Sequence, residues 1–156
     1  MIRFAAVLLA MALAPAAFAQ MSPARAAAEA LALDADIDRD GLLEAEELAA
    51  YETRIFESLD DNSDGRVTEL EFVGWRYGLA EHAIEADRVE AYEATIGLLF
   101  DFYDRDNDGV IVEVESLVAS SYAHDYADLD DDGALSYVEF ATGHIYSMAI
   151  RGVFDF

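Results

Sequence analysis

The 156-residue sequence contains no cysteine, which excludes disulfides, thiolate metal sites and a cysteine nucleophile. It contains no lysine either. All nine basic residues are Arg, and they stand against thirty-three Asp and Glu, a formal charge of -24. A folded chain with that charge repels itself unless cations or a basic partner bind it. Nucleic acid and anionic membrane surfaces carry the same sign, which excludes both as partners. No phosphate-cradling glycine loop and no nucleophile–base constellation is present, so nothing in the pattern marks an enzyme. Long apolar runs are also missing: the one from Phe4 to Leu13 falls short of the ~20 residues that cross a bilayer. It follows Arg3 and precedes Ala17-Phe18-Ala19, a small-x-small cleavage site, so residues 1–19 read as a signal peptide. The remaining chain, residues 20–156, is expected in a periplasm or outside the cell, unattached to membrane after cleavage. Its length and a hydrophobic fraction of 54% suffice for one compact domain.

What the chain has in abundance is one acidic pattern, repeated. Asp36 to Glu47 (DIDRDGLLEAEE), Asp60 to Glu71 (DDNSDGRVTELE), Asp104 to Glu115 (DRDNDGVIVEVE) and Asp128 to Glu139 (DLDDDGALSYVE) all fit D-x-[DN]-x-[DN]-G-x5-E. This pattern resembles the EF-hand calcium loop. A calcium ion takes about six to eight hard oxygens at about 2.3–2.6 Å, so a short backbone must gather many oxygens at once. Alternate positions of a tightly turning loop do so, and a glycine at the turn reaches φ > 0 without the cost of a Cβ.

In the first loop the expected donors are Asp36, Asp38, Asp40, the carbonyl of Leu42, Glu44 directly or through water, and both oxygens of Glu47. The second offers Asp60, Asn62, Asp64, the carbonyl of Arg66, Thr68 through water, and Glu71, one carboxylate fewer. The third offers Asp104, Asp106, Asp108, the carbonyl of Val110, and Glu115. Its Val112 cannot ligate, so water alone fills that corner. The fourth offers Asp128, Asp130, Asp132, the carbonyl of Ala134, Ser136 through water, and Glu139. On charge count the first site is expected to be the strongest and the second the weakest. The eighth positions, Leu43, Val67, Ile111 and Leu135, are apolar and suit a short β-bridge between paired loops.

The stretches between loops read as helices. Ser22-Pro23 is a helix start, a capping hydroxyl followed by proline. Leu48 to Leu59 places Leu48, Ile55, Phe56 and Leu59 on one face; Ser116 to Ala127 does the same with Leu117, Val118, Tyr122 and Tyr126. The connection between the second and third loops breaks near Gly78, then carries Val89, Tyr92, Ile96, Leu99 and Tyr103 as a core stripe. His82, His124 and His144 are read as ordinary helix or surface residues, and the apolar C-terminal stretch as closing the core. Loop starts lie 24 residues apart within each half, at 36 and 60 and again at 104 and 128. Twelve helical residues then separate neighbouring loops by ~18 Å, which prevents bridging between them. The predicted fold is therefore all-α, with four EF-hand loops in one compact helical domain, the second loop pairing with the third and the first with the fourth.

Four such loops, twelve-residue intervals and a signal peptide make the chain similar to lanmodulin-type and related short-interval EF-hand proteins of bacteria. The resemblance covers most of the expected mature chain and implies a helical metal-binding fold with cross-half pairing. It departs from lanmodulin at the second loop positions, where Ile37, Asp61, Arg105 and Leu129 replace the typical Pro, and at the ninth, where Glu44, Thr68, Val112 and Ser136 replace Asp. The expectation is up to four Ca2+ ions in a buffer or calcium-dependent interaction module with an unidentified protein partner. Lanthanide(III) binding is the alternative the resemblance implies.

Overall fold

The computed structural model describes residues 23–74 and 79–154. The signal-peptide reading, the capping Ser22, the break near Gly78 and the last two residues lie outside the described residues, as does the side chain of His82.

Every repeat folds into the same local sequence of events. Helix α1 (Pro23–Ala35) leads into strand β1 (Leu42–Glu44), and α2 (Ala45–Leu59) into β2 (Arg66–Thr68). Three helices follow, α3 (Glu69–Gly74), α4 (Leu79–Glu85) and α5 (Val89–Tyr103), before β3 (Val110–Val112), α6 (Glu113–Ala127), β4 (Ala134–Ser136), α7 (Tyr137–Gly143) and α8 (Ile145–Phe154). Each incoming helix hands its last turn to the first acidic residue of the next segment. The N–H groups of Asp36, Asp60, Asp104 and Asp128 donate to the carbonyls of Ala32, Phe56, Phe100 and His124 at 2.8–3.0 Å. The chain then leaves the helix with its orphan carbonyls partly satisfied.

Helix length decides which strands meet. The 15-residue α2 is ~22 Å long, so β1 and β2 lie at its opposite ends. β1 pairs antiparallel with β4, Leu43 opposite Leu135, and β2 with β3, Val67 opposite Ile111. All four of these side chains are buried. Between the two ladders runs the core. Leu48, Ile55, Phe56 and Leu59 of α2 are buried. Phe72 meets the edge of Phe100 at 5.6 Å, and Tyr103 packs against Tyr146 at 5.7 Å. Helix α8 supplies Tyr146 and Val153 to this core.

The central connection turns once more than the sequence pattern suggests. Asp87 adopts φ 56°, and the Arg88 N–H caps α4 by donating to the Ala83 carbonyl at 2.8 Å. The six-residue closure has the form of a Schellman cap, here without the glycine that would have announced it. Of the stripe expected on α5, Tyr92, Ile96, Leu99 and Tyr103 are buried; Val89, next to the turn, is exposed.

Helix α6 is also turned about relative to expectation. Its buried face is Ser116, Ala119, Ser120, Ala123, His124 and Ala127, while Val118, Tyr122 and Tyr126 face solvent. Small side chains let neighbouring backbones approach closely, as at the end of α7, where a Cβ on Gly143 would stand 3.0 Å from Ala127 Cα. Overpacking of that contact predicts that Gly143→Val lowers unfolding stability by about 1–3 kcal/mol. Urea denaturation checks this, and an unchanged midpoint would show that α6 and α7 can part at no cost. His124 and His144, read as ordinary helix or surface residues, are both buried. The His144 ring stacks on Phe140 at 4.5 Å, and burial, with His124 close by, pushes its pKa down to about 4.

Candidate metal centres

The acidic side chains first serve the turns that present them. In the first segment Asp36 Oδ1 and Oδ2 accept from the backbone N–H groups of Arg39 (2.6 Å) and Gly41 (3.0 Å). Asp38 accepts from Asp40 N–H and Asp40 from Leu42 N–H. Glu47 closes the segment: Oε1 accepts from Ile37 N–H at 2.7 Å and Oε2 from Glu44 N–H at 3.3 Å. The remaining lone pairs are left to converge. Ligand-type oxygens of Asp36, Asp38 and Asp40 lie within 4.8 Å of one another.

The third segment repeats this, gathering Asp104, Asp106 and Asp108 within the same distance; the fourth gathers Asp128, Asp130 and Glu139. Glu115 spans its segment as Glu47 does, accepting from Arg105 N–H and Val112 N–H at 3.0 Å each. Glu139 accepts from Leu129 N–H at 3.0 Å and from the Ser136 hydroxyl at 2.7 Å. Asp132 accepts from Ala134 N–H and stands near enough to Asp130 to raise its pKa. The second segment gathers its side chains differently. Asp60 accepts from Asp64 and Gly65 N–H and Asp64 from Arg66 N–H, but Asn62 Nδ2 donates to Glu71 Oε1 at 3.0 Å. The Thr68 hydroxyl donates to the other Glu71 oxygen at 2.8 Å, and these Thr68 contacts hold Glu71 below the usual carboxylate range. Among the described residues no three-carboxyl cluster forms there.

The carbonyl donors Leu42, Arg66, Val110 and Ala134 open the four strands, which places each beside its cluster. Gly41, Gly65, Gly109 and Gly133 sit at φ 80–93°, a region that strains any side chain.

Three features were not anticipated from the pattern. Arg39, Ser63, Asn107 and Asp131 also adopt positive φ, 56–63°. Asn and Asp tolerate this region and could have signalled it, but Arg and Ser carry no such signal. The Tyr137 hydroxyl donates to Asp36 Oδ2 at 2.7 Å, tying the fourth segment to the first. Burial raises the Asp36 pKa, yet this bond and those from Gly41 and Arg39 outweigh it and hold the carboxyl low. Arg66 reaches Asp108 at 3.6 Å across the other ladder.

Electrostatically these are sites for positive charge. Glu44 is pushed above its ordinary value chiefly by the neighbouring Glu47 carboxyl, with Asp40 adding repulsion. Asp130 is raised mainly by Asp132. The donor set is all oxygen, it includes no thiolate or imidazole, and it converges on points a few ångströms across. That fits a hard cation such as Ca2+ and poorly fits a soft one.

The family model described as EF hand matches residues 53–73, from the second half of α2 through the second segment into α3. Comparison with curated proteins finds no match. The matched stretch holds the loop with the fewest carboxylates at ligand positions, and the acidic clusters of the other three segments lie outside it. Together the match and the clusters support an EF-hand calcium-binding protein.

Proposed function

We propose that this protein is an exported calcium buffer or calcium-dependent interaction module with four EF-hand sites. The observation that carries the reading is the convergence of carboxylate oxygens within 4.8 Å in three loops. The remaining and weakest site is the second loop, in which Asn62 and Thr68 occupy Glu71. The ligands are those named for each loop above, and Val112 leaves its corner to water. The carboxylates are ligands in this reading, not catalytic groups. No described helix is long and apolar enough to cross a membrane. Extracellular sites commonly have dissociation constants of about 10⁻⁴–10⁻³ M, a range that would leave such sites partly or fully occupied outside the cell.

Isothermal titration of the purified protein with calcium tests this. Four equivalents are expected, the second loop filling last, and Glu71→Gln should remove only that last step. Absence of heat at millimolar calcium would end the reading.

A second reading is favoured by the first loop alone. Five carboxylates, Asp36, Asp38, Asp40, Glu44 and Glu47, crowd there, and Glu44 is already raised by Glu47. Such crowding suits a trivalent lanthanide. Terbium luminescence in competition with calcium separates the two, since ready displacement by millimolar calcium leaves no role for the lanthanide.

A further inference from the structure

We propose that the exposed face of α6, together with the cavity between α2 and α6, is a docking surface for a cationic amphipathic helix. Val114, Val118, Tyr122 and Tyr126 are 65%, 41%, 54% and 69% exposed. They recur every fourth residue, so they form one ridge along the whole helix. Isolated exposed apolar residues are ordinary, but a continuous row is the mark of an interaction site. The core does not require them. Helix α6 packs through Ser116, Ala119, Ala123 and Ala127, and polar residues on the outer face would leave that packing unchanged.

Beside the ridge lies a cavity of about 280 Å³, bounded by Leu48 and Ala49 of α2 and by Leu117, Ser121 and Asp125 of α6. It has room for an apolar side chain: Ala45, Leu48, Ala49 and Leu117 form its apolar lining, and Ser120, Ser121, His124 and Asp125 its polar side. Ridge and cavity share the Ser121–Asp125 edge, so a helix laid along α6 would press one apolar residue into the cavity and others between the ridge side chains.

Charge selects the occupant. The Asp125 carboxylate at the rim is 72% exposed, Glu113 is exposed at the other end of the ridge, and the whole chain carries -24. A second copy would bring the same charge against this face; a cationic helix complements it. The Arg105 guanidinium stands 5.1 Å from the centre of the Tyr122 ring and sets one positive charge on the ridge against the carboxylates of Glu113 and Asp125.

The test uses a synthetic helical peptide of about 18 residues, Leu on one face and Lys on the other, titrated calorimetrically into the purified protein in calcium at about 0.15 M salt. One-to-one binding is expected, with no binding of the same peptide carrying Glu for Lys. Tyr122→Ser/Tyr126→Ser should weaken it about tenfold or more, and Ala49→Tyr, which fills the cavity mouth, should weaken it too. Circular dichroism should show the fold unchanged in both. Wild-type affinity in the double variant would mean charge alone holds the peptide and would overturn the proposal. So would a wild-type dimer in sedimentation that the double variant fails to form, since the face would then belong to a second copy.

Discussion

Saturating calcium is expected to raise the melting temperature by roughly 20 °C or more, since four sites should stabilise only the folded chain. A ligand at about 100 times its dissociation constant stabilises the form that binds it by about 2.7 kcal/mol. Four such sites together exceed about 10 kcal/mol, and in a domain of this size each kcal/mol moves the midpoint by about 2–4 °C. Relief of repulsion within the clusters is part of the cause, because Glu44 and Asp130 are raised by their own carboxylate neighbours. Differential scanning calorimetry in calcium and in chelator, at matched ionic strength, measures the shift. Replacing Glu47, Glu71, Glu115 and Glu139 together by Gln should remove most of it. Equal midpoints in calcium and chelator would be incompatible with four folded-state sites.

Glu52→Gln is expected to stabilise the protein at neutral and alkaline pH and to do little in mild acid. Glu52 lies on the buried side of α2, 3% exposed, and accepts a 2.5 Å hydrogen bond from the Ser116 hydroxyl of α6. Burial pushes its pKa from 4.5 up to about 7, with the Ser116 bond acting in the opposite direction. Between those values the folded chain holds a proton that the unfolded chain has released. The group's contribution is therefore complete below pH 4.5 and is lost as the pH rises to about 7. Carried to completion, the loss is about 3 kcal/mol. Glutamine stays neutral throughout, so the variant's advantage should grow from near zero at about pH 4.5 to about 3 kcal/mol by about pH 8. Urea denaturation of both proteins across this range gives the difference directly. A difference independent of pH would mean that the carboxyl titrates at an ordinary value, and that water reaches it between α2 and α6.

The two expectations differ in how far they can be read from a linear chain. Ligand chemistry is local: Asp36, Asp38 and Asp40 need only a tight turn to bring their oxygens together, and the turn is marked by Gly41. Their clustering therefore follows from spacing. The positive φ at Arg39 and Ser63 does not, because the backbone path between two anchored carboxylates imposes it on whatever residue stands there. Likewise Tyr137 reaches Asp36 across 101 positions, a bond that exists only once β1 lies on β4.

Hydrophobic periodicity locates a helix and its length but measures only which face is more apolar. For α2 the two agree, and Leu48, Ile55, Phe56 and Leu59 are inside. For α6 they part. The side facing α2 and α7 offers too little space for Tyr or Val, so alanine and serine occupy it, and closeness of approach outweighs the transfer energy of the larger residues.

The chain alone thus determined the four acidic loops, their oxygen chemistry and helices too long for neighbouring loops to touch, because each depends on residues a few positions apart. Only the tertiary structure decided that Glu52, His124 and His144 are buried, that α6 turns its tyrosines to solvent, and that Tyr137 serves the first loop. Those outcomes are set by how closely distant helices pack, a quantity that no local pattern of side chains encodes.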